Sequence, residues 1–451
     1  MFKKILIANR GEIALRILRA CREMKIRTVV AYSTADADSL PVRLADEAIC
    51  IGPPPPKDSY LHAHNIISAA HITGAEAIHP GIGFLSERPS FAEACEMCHV
   101  KFIGPPAEAM EAMGDKATAR ATMQKAGVPV VPGTPALNND QEALAFAQKY
   151  GYPLLVKAAF GGGGRGIRLV QNEDELPRAL EMARAEAAAA FGRAEVYLEK
   201  LIEEPRHVEV QVLADAHGNV VHLGERECSI QSPRRQKIIE EALAVGISPD
   251  LRRRMGEAAV RAARAIGYVN AGTIEFLVDA HDNFYFMEMN KRLQVEHCVT
   301  EMITGIDLVQ QQIRIAAGER LPFSQKQITF HGHAIECRIN AEEPEREFMP
   351  SAGCIEHLVL PGGPGVRVDT HIHAGYMVPP YYDPLLAKVI VWEKDRPAAI
   401  TRMQRCLQEM EIRGIKTNIA FCRKIVSNAY YRRGELTTDF IQRRIFASNQ
   451  P

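Results

Sequence analysis

The period of hydrophobic and polar positions changes several times along the chain. From residue 1 to about 110, short apolar runs alternate with amphipathic stretches. Ile5-Leu6-Ile7-Ala8 leads through Asn9-Arg10-Gly11-Glu12 into a helical pattern that ends at Met24. Thr28-Val29-Val30-Ala31-Tyr32, Ala75 to Ile78 and Lys101 to Ile103 repeat the apolar motif. This alternation predicts a parallel α/β lobe with crossover helices. The lobe has no G-x-G-x-x-G fingerprint, which argues against a dinucleotide site. Residues 111–130 predict a helical link containing Gly114-Asp115-Lys116, closed by Pro129 and Pro132. Residues 131–203 predict a small α+β lobe, residues 204–330 a larger β region, and residues 331–446 a further α+β lobe whose last helices carry Arg432 and Arg433.

One stretch departs from ordinary amphipathicity. After the apolar run Asn283-Phe284-Tyr285-Phe286-Met287, every even position from Glu288 to Glu296 is polar: Glu288, Asn290, Arg292, Gln294 and Glu296. An extended strand would place all five on one side. Such a row is costly to bury unless its members are paired or hold ions; the plain alternative is a solvated sheet face. Gly272 to Val278 is a second apolar run, interrupted by Glu275, and Asp279-Ala280-His281-Asp282-Asn283 between the runs reads as a turn. An antiparallel hairpin would bring Glu275 beside Glu288 and Asn290. Two carboxylates and an amide oxygen form a hard-oxygen set suited to Mg²⁺ or Mn²⁺.

A second feature is the run Phe160-Gly161-Gly162-Gly163-Gly164-Arg165-Gly166, between the strand Leu154-Leu155-Val156-Lys157-Ala158 and the strand Ile167-Arg168-Leu169-Val170. Glycine amides can close over phosphate oxygens. No Gly-Lys-Ser/Thr follows, so this is not a Walker loop. A phosphate-covering flap with Lys157 nearby is the expectation; a plain hairpin turn would not need four consecutive glycines.

Composition changes the picture little. At 451 residues the chain has room for two to four lobes. Lys and Arg total 54 against 55 Asp and Glu, which gives no reason to expect a nucleic-acid or acidic-membrane partner. There is no apolar run of about 18 residues, so no membrane span is expected. The first residues read as a strand rather than a secretory signal. Ten cysteines scattered through apolar segments read as reduced thiols of a cytoplasmic protein. Cys95 and Cys98, followed by His99, lack a second ligand pair of matching spacing.

The motifs together resemble the biotin carboxylase family of the ATP-grasp superfamily. The resemblance runs through Ala8-Asn9-Arg10-Gly11-Glu12-Ile13-Ala14, His79-Pro80-Gly81, Gly83-Phe84-Leu85-Ser86-Glu87, Met113-Gly114-Asp115-Lys116 and the glycine loop. It continues through Arg206-His207-Val208-Glu209, Glu288-Met289-Asn290, Gln294-Val295-Glu296-His297 and Glu336-Cys337-Arg338-Ile339-Asn340-Ala341-Glu342. It implies an ATP-grasp fold of α/β and α+β character, with an N-terminal parallel lobe, a glycine-rich flap lobe and a C-terminal α+β lobe. It also implies carboxylation of biotin with ATP and bicarbonate through carboxyphosphate.

The resemblance assigns roles residue by residue. Lys116 and Lys157 would neutralise phosphate charge, Gly163 and Gly164 would cap the phosphates, and Glu199, Lys200 and Ile202 would hold adenine, largely by backbone groups. His207 and Gln231 would line the nucleotide site. Glu275, Glu288 and Asn290 would hold two Mg²⁺ or Mn²⁺ ions. Glu296 would be the base for bicarbonate, oriented by Arg292, Gln294 and the Val295 backbone. Lys237 would add charge near bicarbonate and carboxyphosphate, and Arg338 would stabilise the enolate-like oxygen of biotin. A structural pair with Glu336 or Glu342 is the plain alternative for Arg338.

Four places depart from the family pattern. Ile82 stands where Tyr is usual in His-Pro-Gly-Tyr-Gly. Gln231-Ser232-Pro233-Arg234-Arg235-Gln236-Lys237 has one residue more than usual and no His. Cys298 and Leu243 each replace a usual Pro. The resulting expectation is an altered biotin end beside an intact ATP end, with a strand rebent by Pro233. No Met-Lys-Met biotin-attachment sequence is found, nor a carboxyltransferase-like stretch. Biotin is therefore expected on a separate carrier protein. A carboxyltransferase subunit is the further partner expected, as in acetyl-CoA, acyl-CoA, pyruvate or 2-oxoacid carboxylases. A homodimer is expected, with Arg16 and Arg19 as contacts by analogy. Two rival readings are another ATP-grasp carboxylate–amine ligase and a catalytically altered regulatory subunit.

Overall fold

The computed structural model describes residues 1–159 and 167–447. Gly163 and Gly164 therefore lie outside the described residues, as does the side chain of Lys116. Strands β1 (Lys4–Ile7), β2 (Arg27–Ser33), β3 (Glu47–Gly52), β4 (Ala77–His79) and β5 (Lys101–Phe102) form a parallel sheet in the order β3-β2-β1-β4-β5. Ile5 and Ile7 enter one apolar core and Leu6 another, so β1 is buried on both faces and reads as a continuous apolar run. β3 is absent from the sequence expectation because exposed residues alternate along it, as on an edge. The strand order reverses between β1 and β4, which opens a crevice beyond their carboxyl ends. Asn9 braces that crevice, donating from Nδ2 to the carbonyls of Pro80 (2.7 Å) and Ile82 (2.8 Å). Gly81 has φ +63° and lies so close that a Cβ would fall 2.9 Å from Asn9 Nδ2.

A small antiparallel sheet follows, β7 (Ile167–Val170), β6 (Leu154–Ala158) and β8 (Val196–Lys200), in the order β7-β6-β8. Leu154, Val156, Val170 and Leu198 share a core with the helices Asp140–Tyr150 and Leu176–Phe191. Lys157 alternates to the other face of β6.

The largest sheet has eight strands and every pairing in it is antiparallel. Its first six are β13 (Phe284–Asn290), β12 (Asn270–Val278), β9 (Arg206–Ala214), β10 (Val220–Gln231), β11 (Lys237–Ala242) and β14 (His333–Asn340), followed by Leu385–Glu393 and Val366–Thr370. One ladder thus runs through both the β region and the C-terminal lobe. Val208, Val210, Val212, Ile274, Phe276 and Val278 pack under the helix Pro249–Ala265. Ile335, Cys337 and Ile339 pack under the helices Arg396–Glu409 and Ile419–Ser427. Alternation then sends His207, Glu209, Gln211, Thr273, Glu275, Glu336 and Arg338 to the opposite face.

A bulge decides which residues of β13 join them. Glu275 pairs with Glu288 but Phe276 pairs with Phe286, so Met287 is one residue too many on its strand. Phe286 can therefore enter the core beside Phe284 while Glu288, two residues on, faces Glu275. The expected five-residue polar face does not continue past this point. β13 ends at Asn290 because the next backbone N–H, that of Lys291, donates to Glu87 Oε1 (2.8 Å) instead of the ladder. Arg292, Gln294 and Glu296 lie in the turn before the helix His297–Thr304 and reach their partners independently. No helix among the described residues is long and apolar enough to cross a membrane.

Phe276 meets Phe284 edge-on, with ring centroids 5.3 Å apart, and is fully buried. Phe276→Ala is expected to cost about 3–5 kcal/mol and to lower the thermal midpoint measurably in a melting scan; an unchanged midpoint would mean that the hairpin carrying the polar pair is not anchored here.

Candidate functional site

The polar face of the large sheet converges on Lys237. Its Nζ donates to Glu209 Oε2 (2.7 Å), Glu275 Oε1 (2.9 Å) and Glu296 Oε1 (2.7 Å). These carboxylates come from β9, β12 and the turn after β13. Burial works against the lysine charge, but the three anions more than restore it and hold Lys237 well above the ordinary lysine range. The same balance acts in reverse on its partners. Burial raises Glu296, yet Lys237, Arg338 and Arg226 outweigh it and keep the carboxyl well below the usual range. Burial likewise raises Glu275, and Lys237 and His207 overcome it.

Beneath this cluster lies Arg226, fully buried, with all five N–H donors used. Nε donates to Glu209 Oε1 (2.6 Å); Nη1 donates to Gln211 Oε1 (2.8 Å) and Thr300 Oγ1 (3.0 Å); Nη2 donates to Thr273 Oγ1 (3.1 Å) and Gln294 Oε1 (2.7 Å). Gln294 passes the connection on, donating from Nε2 to Glu275 Oε1 (3.0 Å). Gln294, expected to orient bicarbonate, is thus tied into the sheet.

Glu275 and Glu288 are direct cross-strand partners, and Asn290 Nδ2 donates to Glu275 Oε1 (2.8 Å). Like charges opposite one another destabilise a sheet, and a divalent cation would relieve that repulsion. His207 extends the cluster: its Nε2 lies 3.1 Å from Glu275 Oε2, and its Nδ1 accepts from Gln231 Nε2 (2.8 Å). His207, Glu209 and Glu275 each place a ligand atom within 4.8 Å of the others. The donor set is dominated by carboxylate oxygen, and it fits a hard cation.

The other end of the site opens into a cavity of about 530 Å³ at the crevice between β1 and β4. Ile82, Lys237, Val295 and Arg338 line it, with Tyr381 and Tyr382 on the far side. Arg338 is anchored from below by Glu240, with Nε 2.6 Å from Oε1, and its Nη2 lies 3.0 Å from Glu296 Oε2. It pairs with neither Glu336 nor Glu342. Val295 is held through its carbonyl, which accepts from buried Lys388 (2.9 Å). Arg292 ties the turn to the N-terminal lobe: Nε donates to Glu87 Oε2 (3.0 Å) and Nη2 to Asn290 Oδ1 (3.1 Å).

The remaining expected residues lie toward the small sheet. Lys157 forms an ion pair with Glu199, and Arg120 joins it at 3.3 Å. Lys200 donates from Nζ to the Tyr152 carbonyl (2.8 Å), and its backbone N–H goes to Pro132 (2.8 Å). Ile202 is half-buried just beyond β8. Arg16, an expected dimer contact, is buried in pairs with Glu301 (2.8 Å) and Asp307 (2.7 Å) of its own chain.

Pro233 does not rebend a strand. β10 runs to Gln231 and β11 begins at Lys237, and the extra residue is taken up in the hairpin tip, where the Ser232 N–H donates to the Gln236 carbonyl (2.8 Å) and Arg235 adopts φ 64°. Register shifts beside Ile230 turn Lys237 into the site. Sequence reasoning assigns no role to Glu209, Arg226, Glu240, Glu87 or Lys388. Glu209 alternates with His207 and Gln211 in an apolar strand, the same signal that marks Glu275. Glu87 and Lys388 meet the site only through the tertiary fold.

Residues 1–110 match the family described as biotin carboxylase, N-terminal domain, and residues 336–443 match the biotin carboxylase C-terminal domain. Residues 115–324 match the ATP-binding domain of the carbamoyl-phosphate synthase L chain. A biotin carboxylase from Nostoc sp. is 57% identical over 98% of this chain and 99% of its own length. A pyruvate carboxylase subunit from Methanothermobacter thermautotrophicus is 55% identical over 98% of this chain and 90% of its own. The biotin carboxylase domain dimer of Hydrogenobacter thermophilus 2-oxoglutarate carboxylase, solved with MgADP, ADP and bicarbonate, is 50% identical, with a TM-score of 0.90 over 100% of this chain and 99% of that one. With two flanking domain signatures, full-length relatives and a shared architecture, the chain belongs to the biotin carboxylase family.

Proposed function

We propose that the chain uses ATP and bicarbonate to carboxylate biotin borne on a biotin carboxyl carrier protein, giving carboxybiotin and ADP. The observation that carries this reading is the position of Glu296. It lies between Lys237 and Arg338, with the acidic hairpin on one side and the cavity on the other. As a carboxylate it can take the proton of bicarbonate, whose oxygen then attacks the γ-phosphate of ATP to form carboxyphosphate. Lys237 stands where charge develops on that intermediate. Glu275, Glu288 and Asn290 would hold two Mg²⁺ or Mn²⁺ ions, which neutralise charge on the β- and γ-phosphates. Lys157, Lys116 and the glycine loop with Gly163 and Gly164 would cover the phosphates, and Glu199, Lys200 and Ile202 would border adenine. Carboxyphosphate breaks into CO₂ and phosphate, the phosphate takes the N1 proton of biotin, and N1 adds to the CO₂ while Arg338 faces the enolate-like oxygen.

The partners follow from the chemistry. The ring must arrive from a carrier, and carboxybiotin must leave for a carboxyltransferase subunit that transfers CO₂ to the final acceptor. We place the chain in a homodimer, as in the Hydrogenobacter domain. A cytoplasmic setting accords with ten free thiols.

Purified protein with Mg²⁺ should hydrolyse ATP only when bicarbonate is present, and biotin should stimulate that turnover. Glu296→Gln should lower it by about 10²–10⁴-fold while nucleotide binding persists; bicarbonate-independent hydrolysis in the parent would overturn the reading. Glu288→Gln should raise the half-saturating Mg²⁺ concentration by at least roughly tenfold to a hundredfold, read from a metal titration of the ATPase. At the biotin end, Ile82→Tyr restores a ring worth about 0.5–1.5 kcal/mol. The KM for free biotin should fall by roughly three- to tenfold with the bicarbonate KM unmoved. An unchanged biotin KM would mean that position 82 does not touch the ring.

A further inference from the structure

Behind Arg338 the sheet carries two carboxyl groups that the proposed chemistry does not use. Glu240 of β11 and Glu336 of β14 are direct partners across the antiparallel ladder, and both are fully buried. Opposed residues in such a ladder stand side by side on one face, and two neighbouring anions in dry protein repel strongly. Glu240 Oε1 is engaged by Arg338, whose Nε lies 2.6 Å away and Nη2 2.5 Å away. Glu240 Oε2 and both oxygens of Glu336 have no hydrogen-bond partner among the described residues. Buried carboxylate oxygens without donors are strongly unfavourable. A single proton changes the arrangement, because a carboxylic acid supplies the missing donor.

The surroundings say where that proton rests. Facing Glu336 are Lys388 on the adjoining strand, Arg338 on its own strand, Glu240 on β11, Glu296 before the helix His297–Thr304, and the Cys298 thiol on that helix. Lys388 is already engaged, 2.9 Å from the Val295 carbonyl, 3.2 Å from Glu12 Oε2 and 3.9 Å from Asp369 Oδ2. Arg338 is divided between Glu240 and Glu296. Neither cation gives Glu336 a hydrogen bond. Burial, opposed by Lys388 but reinforced by Glu240, pushes the Glu336 carboxyl well above its ordinary range. Burial also lifts Glu240, but Arg338 opposes this and the carboxyl is pushed up only to about 7. Glu336 is therefore the member that keeps the proton.

We propose that Glu336 is carried as a carboxylic acid that donates to Glu240, and that this acid–carboxylate pair positions Arg338 at the floor of the cavity. One negative charge on Glu240 fixes the Nε edge of the guanidinium while Nη2 stays with Glu296. A second negative charge would draw Arg338 toward the sheet and away from the cavity. The inference rests on the reading of Arg338 as the group facing biotin, so the test separates the proton from that role.

The native state holds a proton that the unfolded chain releases above the ordinary carboxyl range. The favourable contribution is therefore complete at low pH and is lost as pH rises toward the folded-state value. Glu336→Gln keeps a donor and removes the proton. Relative to this variant, the parent should lose stability as pH rises above the ordinary carboxyl range, by about tenfold in the folding equilibrium per pH unit for one proton. In the melting scan this appears as a thermal-midpoint gap that widens with pH. The parent-minus-Glu336→Gln infrared difference spectrum at neutral pH should show a carboxylic-acid carbonyl band, and Glu336→Gln should retain biotin-stimulated turnover. Glu240→Gln should lose most of the biotin stimulation yet keep bicarbonate-dependent ATP hydrolysis. A pH-independent gap, or a difference spectrum without that carbonyl band, would overturn the buried acid. The expected band and gap with an unaltered biotin response in Glu240→Gln would overturn the positioning role and with it the reading of Arg338, leaving the proton in place.

Discussion

Lys237 cannot leave water without compensation, and three carboxylates from three separate segments supply it. Removing one partner of such a buried group typically costs about 3–5 kcal/mol, so Glu209, Glu275 and Glu296 are held in mutual register by a single ammonium group. Arg226 repeats the logic one layer down. Its five donors bind residues of β9 and β12, the turn after β13 and the helix His297–Thr304. The turn that carries Glu296 has no ladder of its own and depends on these contacts for its shape. The apolar face of the sheet explains why the molecule folds; the paired charges explain why the polar face has one arrangement.

The same pairing joins the two ends of the site. Glu296 accepts from Lys237 on one oxygen and from Arg338 on the other, so the carboxylate proposed to meet bicarbonate also touches the group at the cavity. Arg338 continues to Glu240, and Lys388 holds the Val295 carbonyl while contacting Glu12. The acidic hairpin and the cavity are therefore neighbours in one electrostatic network, and the proposed phosphate and ring chemistry would be too. A reactive intermediate made on one side has little distance to travel to the other.

Parts of this were legible in the sequence because they follow from local rules. Apolar runs in β1 and β2 announce a parallel sheet, and the hairpin of β12 and β13 follows from two apolar runs around a turn. The polar alternation after Phe286 signals a site, but period-2 reasoning extends the strand too far. It sees neither the bulge at Met287 nor the capture of the Lys291 N–H by Glu87, because both depend on what lies across the fold. β3 escapes notice because its apolar run, Ala48 to Ile51, is short and Ala48 and Cys50 are exposed at the sheet edge. Arg226 and Lys388 are charged residues in central strands, and only the assembled sheet reveals that their partners surround them.

The departures from the family pattern can be weighed by where they fall. The additional residue near Pro233 sits in a hairpin tip and leaves Lys237 in the cluster. Leu243 and Cys298 meet in one small apolar cluster with Val299 and Ile303, away from the cavity lining. Ile82 lines the cavity, as do Gln236 and Lys237 at the end of the altered hairpin, and at Ile82 an aromatic ring and a hydroxyl are exchanged for a branched aliphatic chain packed against the N-terminal core. A biotin ring delivered by a docked carrier arrives at high effective concentration, because binding has become intramolecular. If position 82 borders the ring, the missing aromatic lowers intrinsic affinity equally for free and tethered biotin, but a high effective concentration keeps the tethered ring bound. The altered pocket is thus compatible with an intact reaction, provided that the carrier rather than the cavity supplies most of the affinity.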